Sequence, residues 1–226
     1  MQTFLKGIPT MKLLKTGIAG LDEFLQGGLA PGAFLLYGPP ESGSEIFARQ
    51  VAYSRALHGH VSYFTVTKTP EFVREEMSMY GWDTSRLEQE GKWKFINVDK
   101  PESLSEAITQ EMKQRKCVVL DSFSELLLIY KTEEATTLLS TMSNQNREYK
   151  ELHLVLLTQG MQDSKIEVAA QHFADSVIQF TASWEAEVSS RNLIVKKTKG
   201  TIVPARRLPY SLGKNGFTIE TATRIT

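Results

Sequence analysis

At 226 residues the chain is long enough for one large domain or two small ones with a sizeable core. Its 26 Lys and Arg balance 26 Asp and Glu, so no overall field draws it to nucleic acid or a lipid surface, and such attraction would need a local cluster. One cysteine, Cys117, excludes an internal disulfide and a cysteine-rich zinc site, and no segment approaches the ~20 apolar residues of a membrane span, so a cytoplasmic protein is expected.

Short β-rich runs alternate with helical stretches, which predicts an α/β fold with a mostly parallel sheet. The clearest strand is AFLLYG (33–38), followed by a helix over about 43–57. Then come VSYFTV (61–66), a helix from Pro70, WKFINV (93–98) and a helix near 102–115. CVVLDSF (117–123) is almost continuously apolar up to its aspartate, as a strand covered on both faces should be. SELLLIY (124–130) is expected to be a core-facing helix or a subunit contact. A helix near 133–148, HLVLLTQ (153–159) and a short helix near 166–173 precede the strands SVIQFTASW and RNLIVKKT, with later turns at Gly200, Gly213 and Gly216.

Between the first strand and its helix lies a loop of eight residues: Gly38, Pro39, Pro40, Glu41, Ser42, Gly43, Ser44 and Glu45. A phosphate-binding loop reads G-x-x-x-x-G-K-[ST] in this setting: backbone N–H groups wrap the phosphates, the lysine reaches the terminal ones and the hydroxyl holds Mg²⁺. Here the glycines have the right spacing, but Ser44 stands for the lysine and Glu45 for the hydroxyl. Two glycines alone are weak, since an ordinary strand–helix turn has them too. Asp121, closing the apolar run VVLD, supplies the aspartate that orients water around Mg²⁺ in nucleotide hydrolases of this kind. The pair favours a nucleotidase ancestry.

The segment KTGIAGLDEFLQGGLAPGAFLLYGPP (15–40) resembles the opening of RecA-like ATPases of the KaiC and RadA-paralogue type. The likeness continues through TPEFVREEMSMYGWD (69–83), VVLDSFSELL (118–127), VLLTQ (155–159), IVKKTKG (194–200) and RRLPYSLGKNGFTIE (206–220). It implies one RecA-like domain over residues 15–226, with a mostly parallel sheet flanked by helices and C-terminal antiparallel strands. Residues 1–14, with a second start available at Met11, are then an N-terminal extension.

The departures from that family matter most. Ser44 carries no charge for the phosphates, and Glu45 places a carboxylate beside them. Two like unit charges ~4 Å apart repel by roughly 4 kcal/mol at an effective dielectric of about 20. Loss of the lysine's charge-assisted bonds removes ~2–3 kcal/mol more. Together these amount to a weakening on the order of 10⁴-fold, while the helix terminus returns only ~0.3–1 kcal/mol. Glu45 as a Mg²⁺ ligand is the counter-reading. The resemblance also implies paired acids after the second strand, one activating the attacking water; here that stretch is Thr67-Lys68.

By the same resemblance Lys197 and Lys199 match a K-x-R pair that reaches the phosphate on a neighbouring subunit. They belong to a run over 191–219 with seven cations (Arg191, Lys196, Lys197, Lys199, Arg206, Arg207, Lys214) and no Asp or Glu. That run reads as a phosphate or nucleic-acid patch, a surface for an acidic neighbour, or a solvated strand face. Loops that hold DNA in RecA-type recombinases correspond to 124–137 and 159–175, where acids outnumber Lys131 and Lys165. His58 and His60 read as a turn rather than a metal pair, and Trp82 as a packing residue. The expected function is a noncatalytic, KaiC-like pseudo-ATPase acting through protein contacts, as a homo-oligomer or with an active paralogue, with no metal site and no catalytic residues. No cofactor is expected beyond weak ATP and Mg²⁺ binding; the alternatives are an ATP-binding KaiC-like protein with an atypical phosphate loop and slow or no hydrolysis, and a DNA-binding recombination or repair accessory.

Overall fold

The structure is a computed structural model and describes residues 12–98, 101–185, 188–199 and 206–220. In chain order it contains α1 (Leu21–Phe24), β1 (Gly32–Gly38), α2 (Ser44–Ala56), β2 (Val61–Thr65), α3 (Pro70–Ser78), α4 (Ser85–Gln89) and β3 (Trp93–Asn97). There follow α5 (Leu104–Lys113), β4 (Cys117–Asp121), α6 (Phe123–Ile129), α7 (Thr132–Tyr149), β5 (Leu152–Thr158) and α8 (Ser164–Phe173). The chain closes with β6 (Ser176–Glu185), β7 (Val188–Lys197), β8 (Arg207–Gly213) and β9 (Gly216–Ile219).

These strands form one nine-stranded sheet in the order β3-β2-β4-β5-β1-β6-β7-β8-β9. β3 through β6 in that order pair in parallel, and β6 through β9 pair antiparallel. Central strands are covered on both sides, so their two side-chain sets feed two cores. On β1, Phe34 and Leu36 join the core under α2 with Phe47, Val51, Phe180 and Phe217. Ala33, Leu35 and Tyr37 join the opposite core with Ile108, Phe123, Leu138 and Val155. The α/β architecture with antiparallel strands at the C-terminal end is therefore observed.

The opening T-G-I-x-G-L-D segment has a local structural reason. Asp22 accepts from the Thr16 backbone N–H and hydroxyl, both at 2.8 Å, and from the Gly17 N–H. Leu14 pairs with Leu29 and is buried, which ties the chain down before residue 15.

Some expectations need correction. The strand expected over 117–123 stops at Asp121, because Ser122 caps α6 by accepting from the Glu125 N–H. SELLLIY divides between the two roles expected of it: Leu126 and Leu127 are buried, whereas Leu128 and Ile129 are exposed. α1 and α4 went unanticipated, being too short for a helical period to register. The turn expected at Gly200 lies outside the described residues.

His153 ties β5 to β4 within the buried sheet. Its Nδ1 accepts from the Val118 N–H at 3.2 Å, and its Nε2 faces Asn146 Oδ1 at 3.0 Å. That oxygen already accepts from the Glu151 N–H, so the Nε2-protonated neutral tautomer satisfies every partner. Burial pushes the imidazole down to about 3. Below its ordinary value of 6.5 the unfolded chain takes up a proton that the folded chain refuses, so stability is lost as pH falls from about 6.5 toward 3. Urea unfolding at pH 7, 6, 5 and 4 should therefore show a steeper acid loss in the wild type than in His153→Gln, by up to about 1.4 kcal/mol per pH unit.

Candidate functional site

The loop between β1 and α2 lies at the carboxyl end of the sheet, where open α/β sheets place their ligands. Pro40–Ser42 forms one 3₁₀ turn, with the Ser42 N–H bonded to the Pro39 carbonyl at 3.0 Å. Gly43 has a left-handed backbone (φ 72°), and a Cβ there would overlap the Leu212 side chain of β8. The Tyr210 hydroxyl donates to the Ser42 carbonyl at 2.6 Å. The loop is thus packed from outside by the C-terminal hairpin. Burial pushes the Tyr210 phenol up; Arg191 and Glu45 act on it in opposite senses, which places both charges near the loop.

Inside the loop, Glu45 takes the start of α2 for itself. Its carboxylate accepts from its own backbone N–H and feels the cations of Arg49 and Lys68 and the anion of Asp121. Burial nevertheless pushes its carboxyl above the ordinary glutamate range. Compared with what the resemblance implies, two charges have exchanged places: the loop carries the acid, and the segment after β2 carries the lysine.

Asp121, at the end of β4, is 3% exposed. Tyr63 on neighbouring β2 donates its hydroxyl to Asp121 Oδ2 at 2.7 Å. Arg49 of α2 reaches the same oxygen with Nη2 at 3.5 Å, donates Nε to the Tyr63 oxygen at 3.3 Å, and pairs Nη1 with Glu76 Oε2 at 2.9 Å. Its guanidinium is 2% exposed, so carboxylates compensate the charge where water cannot. Burial opposes ionisation of Arg49, but Tyr63, Asp121 and Glu76 outweigh it and its pKa rises. Burial and Asp121 together push the Tyr63 phenol far above its usual range.

Sequence reasoning missed Arg49, Tyr63 and Glu76. A signal existed for Arg49, which lies among Phe47, Ala48, Val51 and Ala52 on the buried side of α2, four residues after Glu45.

Where the resemblance places a phosphate-facing lysine the loop has Ser44, the α2 terminus faces the Glu45 carboxylate of its own chain, and Asp121 Oδ2 accepts from Tyr63 with Arg49 Nη2 3.5 Å away, a donor set unlike the one that Mg-ATP calls for. Among the described residues, no cluster of three or more His, Cys, Asp or Glu side chains could hold a metal. None of their helices is long and apolar enough to cross a membrane.

The basic residues of 191–219 divide. Lys197 Nζ donates to the carbonyls of Gln171, His172 and Ala174 at 3.3, 2.8 and 2.6 Å, closing the C-terminus of α8. Lys199 pairs at 2.7 Å with buried Asp175, which also accepts from Ser143 and from the Ala33 N–H. Both amines work within their own chain. Lys196, Arg206, Arg207 and Lys214 are exposed, and Arg191 is half-buried. Trp82 is buried and stacks on Tyr80 at 4.8 Å.

Removing one member of the Arg49 cluster leaves buried charge behind. Arg49→Met should destabilise the fold by about 3–5 kcal/mol, and Tyr63→Phe by about 1–3 kcal/mol, both read from urea midpoints.

A family model described as "ATPase: KaiC" matches residues 14–224. A UPF0273 protein of Methanocaldococcus jannaschii is 28% identical over 238 residues, covering 92% of this chain and 96% of that protein. A circadian clock protein KaiC3 of Synechocystis is 38% identical over 87 residues, which is 38% of this chain and 17% of that protein. The crystal structure of a KaiC-like protein of Pyrococcus horikoshii superposes with a TM-score of 0.81 at 22% identity, covering 93% of this chain and all of that one.

Proposed function

This chain belongs to the KaiC ATPase family within the RecA-like P-loop ATPases, and we propose that it is a noncatalytic member, a pseudo-ATPase acting through protein–protein contacts. The observation that carries this reading is the state of Asp121: its Oδ2 accepts from the Tyr63 hydroxyl and lies 3.5 Å from the Arg49 guanidinium. A divalent cation ~4 Å from that guanidinium would meet roughly 8 kcal/mol of repulsion at an effective dielectric of about 20. The loop adds its own obstacle, since Ser44 stands where a lysine is needed and Glu45 sets a carboxylate beside the triphosphate position. The stretch after β2, where the resemblance implies paired acids, has Thr67 and Lys68 and so offers no carboxylate to activate water.

A role through contacts is supported by a fold kept intact around this site. Leu128 and Ile129 on α6, Met161 in the loop after β5, and Val168 and Phe173 on α8 remain exposed, with Leu128 and Val168 each 63% accessible. Exposed apolar side chains of this size suit association with a second copy or with an active relative of the same fold.

Calorimetric titration with Mg-ATP should show no saturation below about 1 mM, in keeping with a ~10⁴-fold loss from micromolar affinity. Micromolar binding, or steady hydrolysis abolished by Asp121→Ala, would refute the reading. Sedimentation should report a species larger than the monomer, alone or mixed with an active relative, and Leu128→Asp with Ile129→Asp should return it to monomer.

A further inference from the structure

We propose that Arg49 and Tyr63 act as an internal clamp on Asp121, so that this site stays closed to a metal-bound phosphate even when the loop is repaired. The inference rests on the noncatalytic reading and names the residues that enforce it.

Three contacts carry it, none of them part of the loop motif. Tyr63 can donate only one proton, and it goes to Asp121 Oδ2 at 2.7 Å. The Tyr63 oxygen accepts from Arg49 Nε at 3.3 Å, which fixes the direction of the chain from guanidinium to phenol to carboxylate. Arg49 is anchored from behind by Glu76 at 2.9 Å, so it is held at both ends. α2 supplies the cation, β2 the phenol and β4 the carboxylate, and the parallel pairing of β2 with β4 sets Thr65 beside Asp121 with Tyr63 one step back on the same face. The guanidinium thus provides at Asp121 the positive charge that a metal ion would otherwise bring. Arg49 Nη2 stands 3.5 Å from Oδ2 without a hydrogen bond, so it opposes an arriving cation by charge, while the Tyr63 proton takes up one lone pair of the same oxygen.

The loop and the clamp are therefore separate barriers. Repairing only the first, with Ser44→Lys and Glu45→Thr, restores a cation for the phosphates but leaves Asp121 engaged. Metal dependence of nucleotide binding, rather than binding itself, reports the second barrier.

The experiment compares ATP binding by calorimetry in Mg²⁺ and in EDTA, on intact chains checked by thermal melting. In the loop-repaired variant, magnesium should change the affinity by less than about twofold. Adding Tyr63→Phe and Arg49→Gln should make magnesium tighten binding by at least about tenfold, which corresponds to ~1.4 kcal/mol. If that fourfold variant does not melt cooperatively, the loop-repaired chain carrying only Tyr63→Phe, which loses a single oxygen, takes its place with about threefold tightening expected. Strong magnesium dependence in the loop-repaired variant alone would overturn the clamp. So would a folded, clamp-released variant in which magnesium still has no effect. Wild-type titration is read separately: micromolar Mg-ATP binding there sinks the noncatalytic reading itself, whereas the variant pair decides only the clamp.

Discussion

A guanidinium buried between carboxylates sets the terms for everything around it. Arg49 cannot be deprotonated and is shut off from water, so it needs the carboxyl groups of Asp121 and Glu76 close by. That demand draws together α2, α3 and the ends of β2 and β4, the same elements that in a nucleotide-binding relative would converge on a ligand. Here the charges that meet at that point, Arg49, Asp121 and Glu76, all belong to the chain itself. A buried ion pair is weak support for net stability, since well-packed apolar residues can do as well. Its effect is better seen as fixing one arrangement of the site at the expense of others.

The electrostatics of the loop follow the same logic. Glu45 sits where helix dipole and N–H groups favour an anion, so the acid is an internal occupant of an anion site. Lys68 lies across from it, with sign reversed relative to the family pattern. Glu45, Lys68, Arg49 and Asp121 act on one another electrostatically, and the group is close to self-neutralising.

The legible parts of the sequence were those whose signals are local. A strand, a glycine loop and a helix in immediate succession placed the β1–α2 turn, and an apolar run ending in aspartate placed Asp121. Tyr63 was hidden because it looks like an ordinary core aromatic, and Arg49, though flanked by apolar residues of α2, carries nothing in its own segment that names its partners. Only the lateral pairing of β2 with β4 brings them onto one carboxylate. The lysines of 191–219 looked like one patch by composition, but the α8 carbonyls and Asp175 that take up two of them lie more than twenty residues away. In α6 the apolar run gave no hint that its buried face ends at Leu127, because two exposed leucine-sized side chains follow without a polar marker.

The hydrogen bond from Tyr210 to the Ser42 carbonyl joins positions 168 residues apart. On the ribosome, β1 and α2 emerge long before the hairpin that braces their connecting turn. Until β8 leaves the exit tunnel, that turn has neither its tyrosine nor Leu212 to lean on, and the nascent chain must carry it unsupported. Maturation of this corner is thus timed by the emergence of β8 rather than by that of β1 and α2.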